Sequence, residues 1–387
     1  MSGSFLSHLE CSECHHTWTH LELQTVCRDC GAPLFARYDL TAARAKLDRE
    51  EISARPRGTW RWRELLPVLE SNNEVTLGEG DSPLLPAPRL ARSLGFQNLT
   101  IKDESRNPTL TFKARGMATA VSKAKELGVR EVVLPSAGNA GGAMAAYAAR
   151  AGMRAHIYMP RDTPPAMIDE CRASGAEVVL IDGLISDAAA LSASIARREG
   201  WFDLSTFKEP YRLEGKKIMG YELAESFGWS LPAVIIYPTG GGTGLVGIWK
   251  AFSELAALGW LATSHRPRLV SVQAEGCAPI VKAFQAGAAA SEPWPNAHTV
   301  ASGLRVPKSH ADRQILRDLR ESRGTAVAVS DAAILDSQSE LATSEGLLAA
   351  PEGAATLAAA QLLVKTGWLS KEAHVVLLNT GSGLKYL

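Results

Sequence analysis

The chain has 387 residues, of which 41 are basic, 41 are acidic and 46% are hydrophobic. This length accommodates two domains and a small appendage. The balanced charge argues against recognition by bulk electrostatics, so we expect neither nucleic acid nor a membrane surface as a partner. No apolar run reaches membrane-spanning length and residues 1–30 lack the features of a signal peptide, which predicts a cytoplasmic protein.

The first forty residues contain four of the six cysteines, in two Cys-x-x-Cys pairs that are twelve residues apart. Each pair brings two thiolates to one ion, and two pairs complete a tetrahedron. Residues 1–40 are therefore predicted to form a structural zinc ribbon. Disulfide bonds are a competing interpretation, and His15 and His16 are alternative ligands. The predicted ligands are Cys11, Cys14, Cys27 and Cys30.

Residues 41–74 form a charged connector with helical tendency. After it, short Val- and Ile-rich segments alternate with Ala-rich segments of helical composition. This alternation predicts a parallel sheet with helices on both faces, and hence an α/β fold. The predicted strands are 131–134, 155–159, 177–181, 233–237, 269–274 and 374–378.

One lysine lies at a predicted loop-to-helix transition, in the segment Asn107-Pro-Thr-Leu-Thr-Phe-Lys113-Ala-Arg-Gly116. The Asn-Pro step disfavours helical geometry and marks a helix start, and residues 114–127 have helical composition. An amine that attacks carbonyl groups must lose its proton in a sheltered, fixed position. Taken alone, such a lysine is more often a solvated surface charge, so the other motifs decide its meaning.

Two glycine-rich loops follow, each between a predicted strand and a predicted helix. They are Ser136-Ala-Gly-Asn139-Ala-Gly-Gly142 and Pro238-Thr-Gly240-Gly-Gly-Thr-Gly244. Glycines permit close backbone approach and helix N-termini present N–H groups, so the second loop suits a phosphate. A third glycine turn follows the last strand, where a small hydroxyl residue precedes two glycines in Thr380-Gly-Ser-Gly383.

These motifs resemble those of the fold-type II pyridoxal-phosphate-dependent enzymes, which include threonine synthases and serine/threonine dehydratases. The four motifs occur in the family's order over residues 78–387. The resemblance implies that Lys113 binds pyridoxal phosphate covalently, that Asn139 contacts the cofactor's 3′-oxygen and that Thr380 contacts its pyridine nitrogen. It also implies a cup for the cofactor's phosphate, formed by Gly240, Gly241, Gly242, Thr243 and Gly244.

The same resemblance implies two open parallel-sheet domains beside the ribbon. The large pyridoxal-phosphate-binding domain would contain residues 75–112 and 202–387. The small domain would contain residues 113–201, and residues 41–74 would connect the body to the ribbon. A homodimer is compatible with this organisation.

The segment Tyr211-Arg212-Leu-Glu-Gly215 resembles the threonine synthase segment whose arginine helps to bind the substrate's phosphate. A guanidinium suits this role because it meets phosphate bidentately. The predicted substrate-binding residues are Arg212, Ser136 and Ala137, and Lys113 is the predicted catalytic residue. The predicted reaction converts O-phospho-L-homoserine and water to L-threonine and phosphate by γ-elimination and β-addition.

Three departures from the family's pattern leave another substrate open. Leu110-Thr111 stands where the family has Gly-Ser, the loop at Ser136 lacks neighbouring hydroxyls, and Gly-Gly-Gly-Thr-Gly is closer to the dehydratase cup. The alternative is a threonine or serine ammonia-lyase that uses the same lysine and cup. A third interpretation, a cofactor-binding protein without turnover that uses its ribbon for protein contacts, is disfavoured by the intact motifs.

Overall fold

The computed structural model describes residues 3–387, which form thirteen β-strands and thirteen α-helices. None of these helices is both long and apolar enough to span a bilayer. The strands are β1 (Leu6–Cys11), β2 (Thr17–Trp18), β3 (Leu34–Tyr38), β4 (Leu84–Pro86), β5 (Asn98–Asp103), β6 (Glu131–Pro135), β7 (Arg154–Pro160), β8 (Glu177–Ile181), β9 (Phe202–Asp203), β10 (Val234–Pro238), β11 (Arg268–Ala274), β12 (Thr325–Val329) and β13 (His374–Asn379). The helices are α1 (Leu40–Lys46), α2 (Arg49–Ser53), α3 (Pro88–Leu94), α4 (Lys113–Glu126), α5 (Asn139–Ala151), α6 (Pro165–Ala173), α7 (Ile185–Glu199), α8 (Arg212–Ser226), α9 (Thr243–Leu258), α10 (Pro279–Gln285), α11 (Asp312–Glu321), α12 (Asp331–Glu345) and α13 (Pro351–Lys365).

The chain divides into two compact units. Unit 1 contains the described residues up to Asp81, Asn107–Ile218 and Ala257–Trp260. Unit 2 contains Ser82–Arg106, Met219–Ala256 and Leu261–Leu387.

Unit 1 contains an antiparallel sheet and a parallel sheet. The antiparallel sheet has the order β2-β1-β3 and pairs Cys11 with Leu34 at one end and Leu6 with Tyr38 at the other. The parallel sheet has the order β8-β7-β6-β9, and its strands β6 and β7 are buried along most of their length because helices cover a parallel sheet on both faces. The small N-terminal sheet and α4 share one hydrophobic core, which includes Leu9 and Met117.

Unit 2 is built on a six-stranded sheet with the order β12-β11-β10-β13-β5-β4. Its first five strands are parallel, and β4 joins the edge antiparallel to β5. Pro86 of β4 fits this edge position, because proline cannot donate to a central ladder. The predicted α/β class with parallel sheets is confirmed. All six predicted strands are present, and the two larger sheets also contain β4, β5, β9 and β12.

Candidate functional site

Lys113 is the first residue of α4 and is half-buried, and its Nζ lies 4.0 Å from the centroid of the Phe112 ring. The loop before it has an unusual backbone, because Thr109 and Leu110 have φ angles of 59° and 55°. For residues other than glycine, this left-handed conformation costs about 1–2 kcal/mol each. Strain of this kind is typical of functional sites, where the surrounding structure holds it in place.

The lysine motif and the arginine motif meet through two glycines in unit 1. A Cβ added to Gly116 would lie 2.8 Å from the carbonyl oxygen of Arg212. A Cβ added to Gly215 would lie 2.0 Å from the carbonyl oxygen of Arg115. Neither distance is sterically acceptable, so α4 and α8 approach at backbone distance only because both positions are glycine. This contact brings Lys113 and Arg212 into one region.

Lys216 lies beside Lys113 in this region, and the sequence motifs did not reveal it. Its Nζ lies 5.0 Å from the centroid of the same Phe112 ring that Lys113 contacts, and its side chain is 1% exposed. Burial and the charges of Arg212 and Lys113 hold the pKa of Lys216 well below its usual range. Its spacing of four residues from Arg212 on α8 was the signal available in the sequence, since such residues share a helix face.

Arg212 is buried, and a nearby carboxylate and backbone hold it. Its Nη1 donates to the carbonyl oxygen of Leu204 over 2.5 Å, while its Nε–H is buried with no acceptor in residues 3–387. Glu209 accepts the backbone N–H groups of Tyr211 and Arg212 over 2.7 and 3.0 Å. Burial raises the pKa of Glu209 to about 7 against the opposing effect of the Arg212 charge. The guanidinium therefore keeps one buried donor that an anionic ligand could satisfy.

The loop between β6 and α5 is stabilised by its own serine. Ser136 Oγ accepts the N–H groups of Gly138 and Gly141 over 3.2 and 2.9 Å and donates to the Gly138 carbonyl over 2.9 Å. This hydroxyl therefore shapes the loop. Ala137 and Asn139 are half-buried, and Asn139 begins α5.

In unit 2, the glycine loop between β10 and α9 has backbone carbonyls that side chains hold in place. Gln273 Nε2 donates to the Thr239 carbonyl over 3.0 Å, and Ser309 Oγ donates to the Gly241 carbonyl over 2.9 Å. In a trans peptide the next N–H points away from the carbonyl, so the N–H groups of Gly240 and Gly242 face away from Gln273 and Ser309. Oriented amides at a helix N-terminus form an anion-binding cradle.

Thr380 directly follows β13, the strand that pairs in parallel with β10. The register joins Ile236 to Leu377, so the chain leaves both strands at the same edge of the six-stranded sheet. Thr380 and the glycine loop at residues 239–242 therefore lie on that edge, where ligands bind in open α/β sheets.

These residues fit pyridoxal phosphate in their chemistry. The loop at residues 239–242 presents amides suited to a phosphate, and the Thr380 hydroxyl suits a ring nitrogen. Lys113 offers a half-buried amine, and Asn139 offers an amide side chain.

The four N-terminal cysteines form one cluster in which all sulfur atoms lie within 4.8 Å of one another. Cys11 Sγ lies 3.3 Å from Cys30 Sγ, and Cys14 Sγ lies 3.6 Å from Cys27 Sγ. A tetrahedral zinc–thiolate site, with Zn–S bonds of about 2.3 Å, places sulfurs roughly 3.8 Å apart. None of these cysteines is in a disulfide. His16 is exposed and bonds Asp29, so the described cluster consists of thiols alone.

Comparison with known proteins identifies relatives that use pyridoxal phosphate. Residues 75–381 match a family model described as pyridoxal-phosphate dependent enzyme. The threonine synthase of Methanosarcina acetivorans is 36% identical over 379 residues, which is 98% of this chain and 92% of that protein. The threonine synthase of Methanocaldococcus jannaschii is 32% identical over 376 residues, covering 97% and 92%. The structure of maize serine racemase matches with a TM-score of 0.67 and 23% identity over 78% of this chain and 88% of the racemase, a likeness of fold alone.

Proposed function

Because this chain belongs to the threonine synthase family of pyridoxal-phosphate-dependent enzymes, we propose that it converts O-phospho-L-homoserine and water to L-threonine and phosphate. One structural observation favours this reaction over ammonia-lyase chemistry. Arg212 and Lys216 lie on one face of α8 beside Lys113, and Arg212 has a buried donor without an acceptor. A guanidinium with a spare donor beside a basic amine suits a phosphate, whereas a hydroxy amino acid offers only a carboxylate and a hydroxyl.

The resemblance to the family assigns each contact with the cofactor to a named residue of this chain. Lys113 would bind it covalently, Asn139 would contact its 3′-oxygen, and Thr380 would contact its ring nitrogen. Its phosphate would lie at the amides of the loop Gly240, Gly241, Gly242, Thr243 and Gly244. When bound, pyridoxal phosphate draws electron density from the substrate carbon next to the amine.

The chain's own residues would then move protons and hold the leaving group. Lys113 Nζ, once it is neutral and free, takes the proton from Cα of the substrate. A second proton then leaves Cβ, and Arg212, which binds the substrate's phosphate, stabilises that phosphate as it leaves Cγ. Water finally adds at Cβ. Ser136 and Ala137 would line the substrate from the β6–α5 loop. Lys216, with its lowered pKa, can share a proton with the departing phosphate at little cost.

The four-cysteine cluster would hold a structural Zn²⁺. The sulfur separations support this, and a closed set of four thiolates leaves no open position for a substrate. The cytoplasmic location, the homodimer and the absence of nucleic acid or membrane partners stay predictions of the sequence.

The test of the reaction is a comparison of products and of phosphate dependence. Purified protein is incubated separately with O-phosphohomoserine, threonine and serine, and the products are identified. A synthase releases threonine and phosphate, an ammonia-lyase releases a 2-oxo acid and ammonia, and a protein without turnover releases neither. Consumption of threonine or serine without consumption of O-phosphohomoserine would replace the synthase by the ammonia-lyase.

Arg212→Ala tests the phosphate contact directly. Loss of a charge-assisted hydrogen bond in a buried site costs about 2–4 kcal/mol, so KM for O-phosphohomoserine should rise by about two orders of magnitude. Free phosphate should inhibit the parent competitively and the variant much less. Arg61→Ala also removes a buried guanidinium from unit 1, where Arg61 pairs with Asp81 over 2.8 Å, and controls for general destabilisation. Unchanged KM in Arg212→Ala would contradict the role of Arg212.

A further inference from the structure

A buried tyrosine of the N-terminal sheet contacts both members of an ion pair on α8. Tyr38 OH donates to Glu214 Oε2 over 2.8 Å, and Lys217 Nζ lies 2.6 Å from the same oxygen. The Lys217 ammonium also lies 3.9 Å from the centroid of the Tyr38 ring. The side chains of Glu214 and Lys217 are 0% exposed, so water does not weaken these contacts.

The ion pair and the cationic residues occupy opposite faces of the first two turns of α8. With 3.6 residues per turn, Arg212 and Lys216 project within about 40° of each other. Glu214 and Lys217 project on average about 150° away from them. One face of this turn therefore carries the groups next to Lys113, and the other face is held by Tyr38.

The backbone of Tyr38 is held by strand pairing that does not involve α8. Tyr38 is the last residue of β3 and pairs with Leu6 of β1. The sheet around it contributes Leu9 and Leu34 to the core that also contains Met117 of α4. Tyr38 is therefore a fixed point against which the first turn of α8 is oriented.

We propose that Tyr38 is a positioning residue for the substrate. Through Glu214 and Lys217 it orients the turn that carries Arg212 and Lys216, so the N-terminal sheet contributes to phosphate affinity without touching the substrate. The proposal rests on the proposed function, because it assumes that these two cationic residues bind the phosphate of O-phosphohomoserine.

Tyr38→Phe isolates the hydroxyl, since phenylalanine keeps the ring beneath Lys217. We expect KM for O-phosphohomoserine and the inhibition constant of free phosphate each to rise about tenfold, the effect of one hydrogen bond to a charged group. The kcat should stay within about twofold and cofactor content should not change. A residue with a structural role alone would lower stability and leave the phosphate inhibition constant unchanged.

Unit 2 supplies a matched control. Tyr221 OH donates to Glu254 Oε2, and Lys250 Nζ pairs with Glu254 Oε1 over 2.6 Å, so the same three residue types meet in a second buried cluster. Tyr221→Phe should lower stability to a similar extent and leave phosphate inhibition unaltered. Equal phosphate inhibition constants for Tyr38→Phe, Tyr221→Phe and the parent would overturn the proposal.

A second variant and the arginine variant complete the test. Lys217→Gln removes the ion pair from Glu214 and should weaken phosphate inhibition in the same direction if Tyr38→Phe does not fold. Retention of full phosphate inhibition in Lys217→Gln would also overturn the role of Tyr38.

If phosphate inhibits the parent and Arg212→Ala equally, the phosphate site itself is wrong and the proposed function fails. If Arg212→Ala loses inhibition and Tyr38→Phe does not, only the inference about Tyr38 fails.

Discussion

Lys113 and Lys216 contact one aromatic ring, with their Nζ atoms 4.0 and 5.0 Å from the centroid of Phe112. They come from different helices, α4 and α8, and are about a hundred residues apart in the sequence. Burial, with the charges of Arg212 and Lys113, lowers the pKa of Lys216, so a second amine that loses its proton easily lies beside the predicted cofactor lysine. The choice between these two amines as the point of cofactor attachment can be tested directly.

Borohydride reduction should attach the cofactor permanently to Lys113 alone. Lys113 begins α4 and is half-buried, whereas Lys216 is buried and extends over Gly116. Lys113→Ala should lose both the covalent cofactor and turnover, while Lys216→Gln should keep the covalent cofactor. The measurement is a tryptic map of the reduced protein by mass spectrometry. Reduced cofactor on Lys216, or on any lysine other than Lys113, would contradict the assignment.

Leu110→Gly should stabilise the protein by about 0.5 kcal/mol. Leu110 has a φ of 55°, and glycine removes a penalty of about 1–2 kcal/mol for this left-handed conformation. Glycine also raises the conformational entropy of the unfolded chain, which offsets part of the gain. The free energy of unfolding in urea measures the change. Leu335→Gly is the control, since Leu335 is similarly exposed within α12 and its replacement should cost about 1 kcal/mol. Equal losses in both variants would show that Leu110 carries no strain.

Zinc should bind near one equivalent per chain. Replacing Cys11 and Cys27 together by serine removes one thiolate from each pair and should abolish zinc binding. Residues of the N-terminal sheet should then become more sensitive to protease, while the cofactor stays bound because its predicted ligands lie elsewhere. Cys277→Ala is the control and should keep its zinc. Native protein without zinc, or mapped disulfides among these four cysteines, would contradict the prediction.

Glu209 should make the protein less stable as the pH rises from about 4.5 to about 7. Burial raises the folded-state pKa of Glu209 from 4.5 to about 7, so the folded state binds this proton more tightly than the unfolded state. The contribution is full below pH 4.5 and is lost as the pH passes the folded-state pKa, up to about 3 kcal/mol. Glu209→Gln should remove this loss. Between pH 4 and pH 8, the free energy of unfolding of the variant should rise relative to that of the parent. If the two free energies change in parallel with pH, the raised pKa of Glu209 is contradicted.

The sequence predicts the body of the fold well because buried parallel strands are continuous apolar runs. The strand predicted at 177–181 matches β8, and the other five differ from the observed bounds by one or two residues. The predicted set omits β12, whose alanines are weak in strand propensity, and the short strands β4 and β9, which have three and two residues.

The motifs predict single residues of the site but not their tertiary partners. Lys113 and Arg212 follow from local patterns, because their neighbours in the sequence are also their structural context. Tyr38 and Glu214 are 176 residues apart, and no local pattern joins them. The same holds for Lys216, whose lowered pKa depends on groups from α4 and on burial that only the folded chain provides.

The contact between Gly116 and Gly215 has a consequence for the divergence of this lineage. A side chain at either position would collide with backbone, since the added Cβ would lie 2.8 Å from one carbonyl oxygen and 2.0 Å from the other. Substitutions in the two motifs are therefore coupled. An alanine at either glycine requires α4 and α8 to move apart. Loss of Gly215 would therefore also move Arg212 away from the lysine motif. Selection should therefore retain or lose the two glycines together.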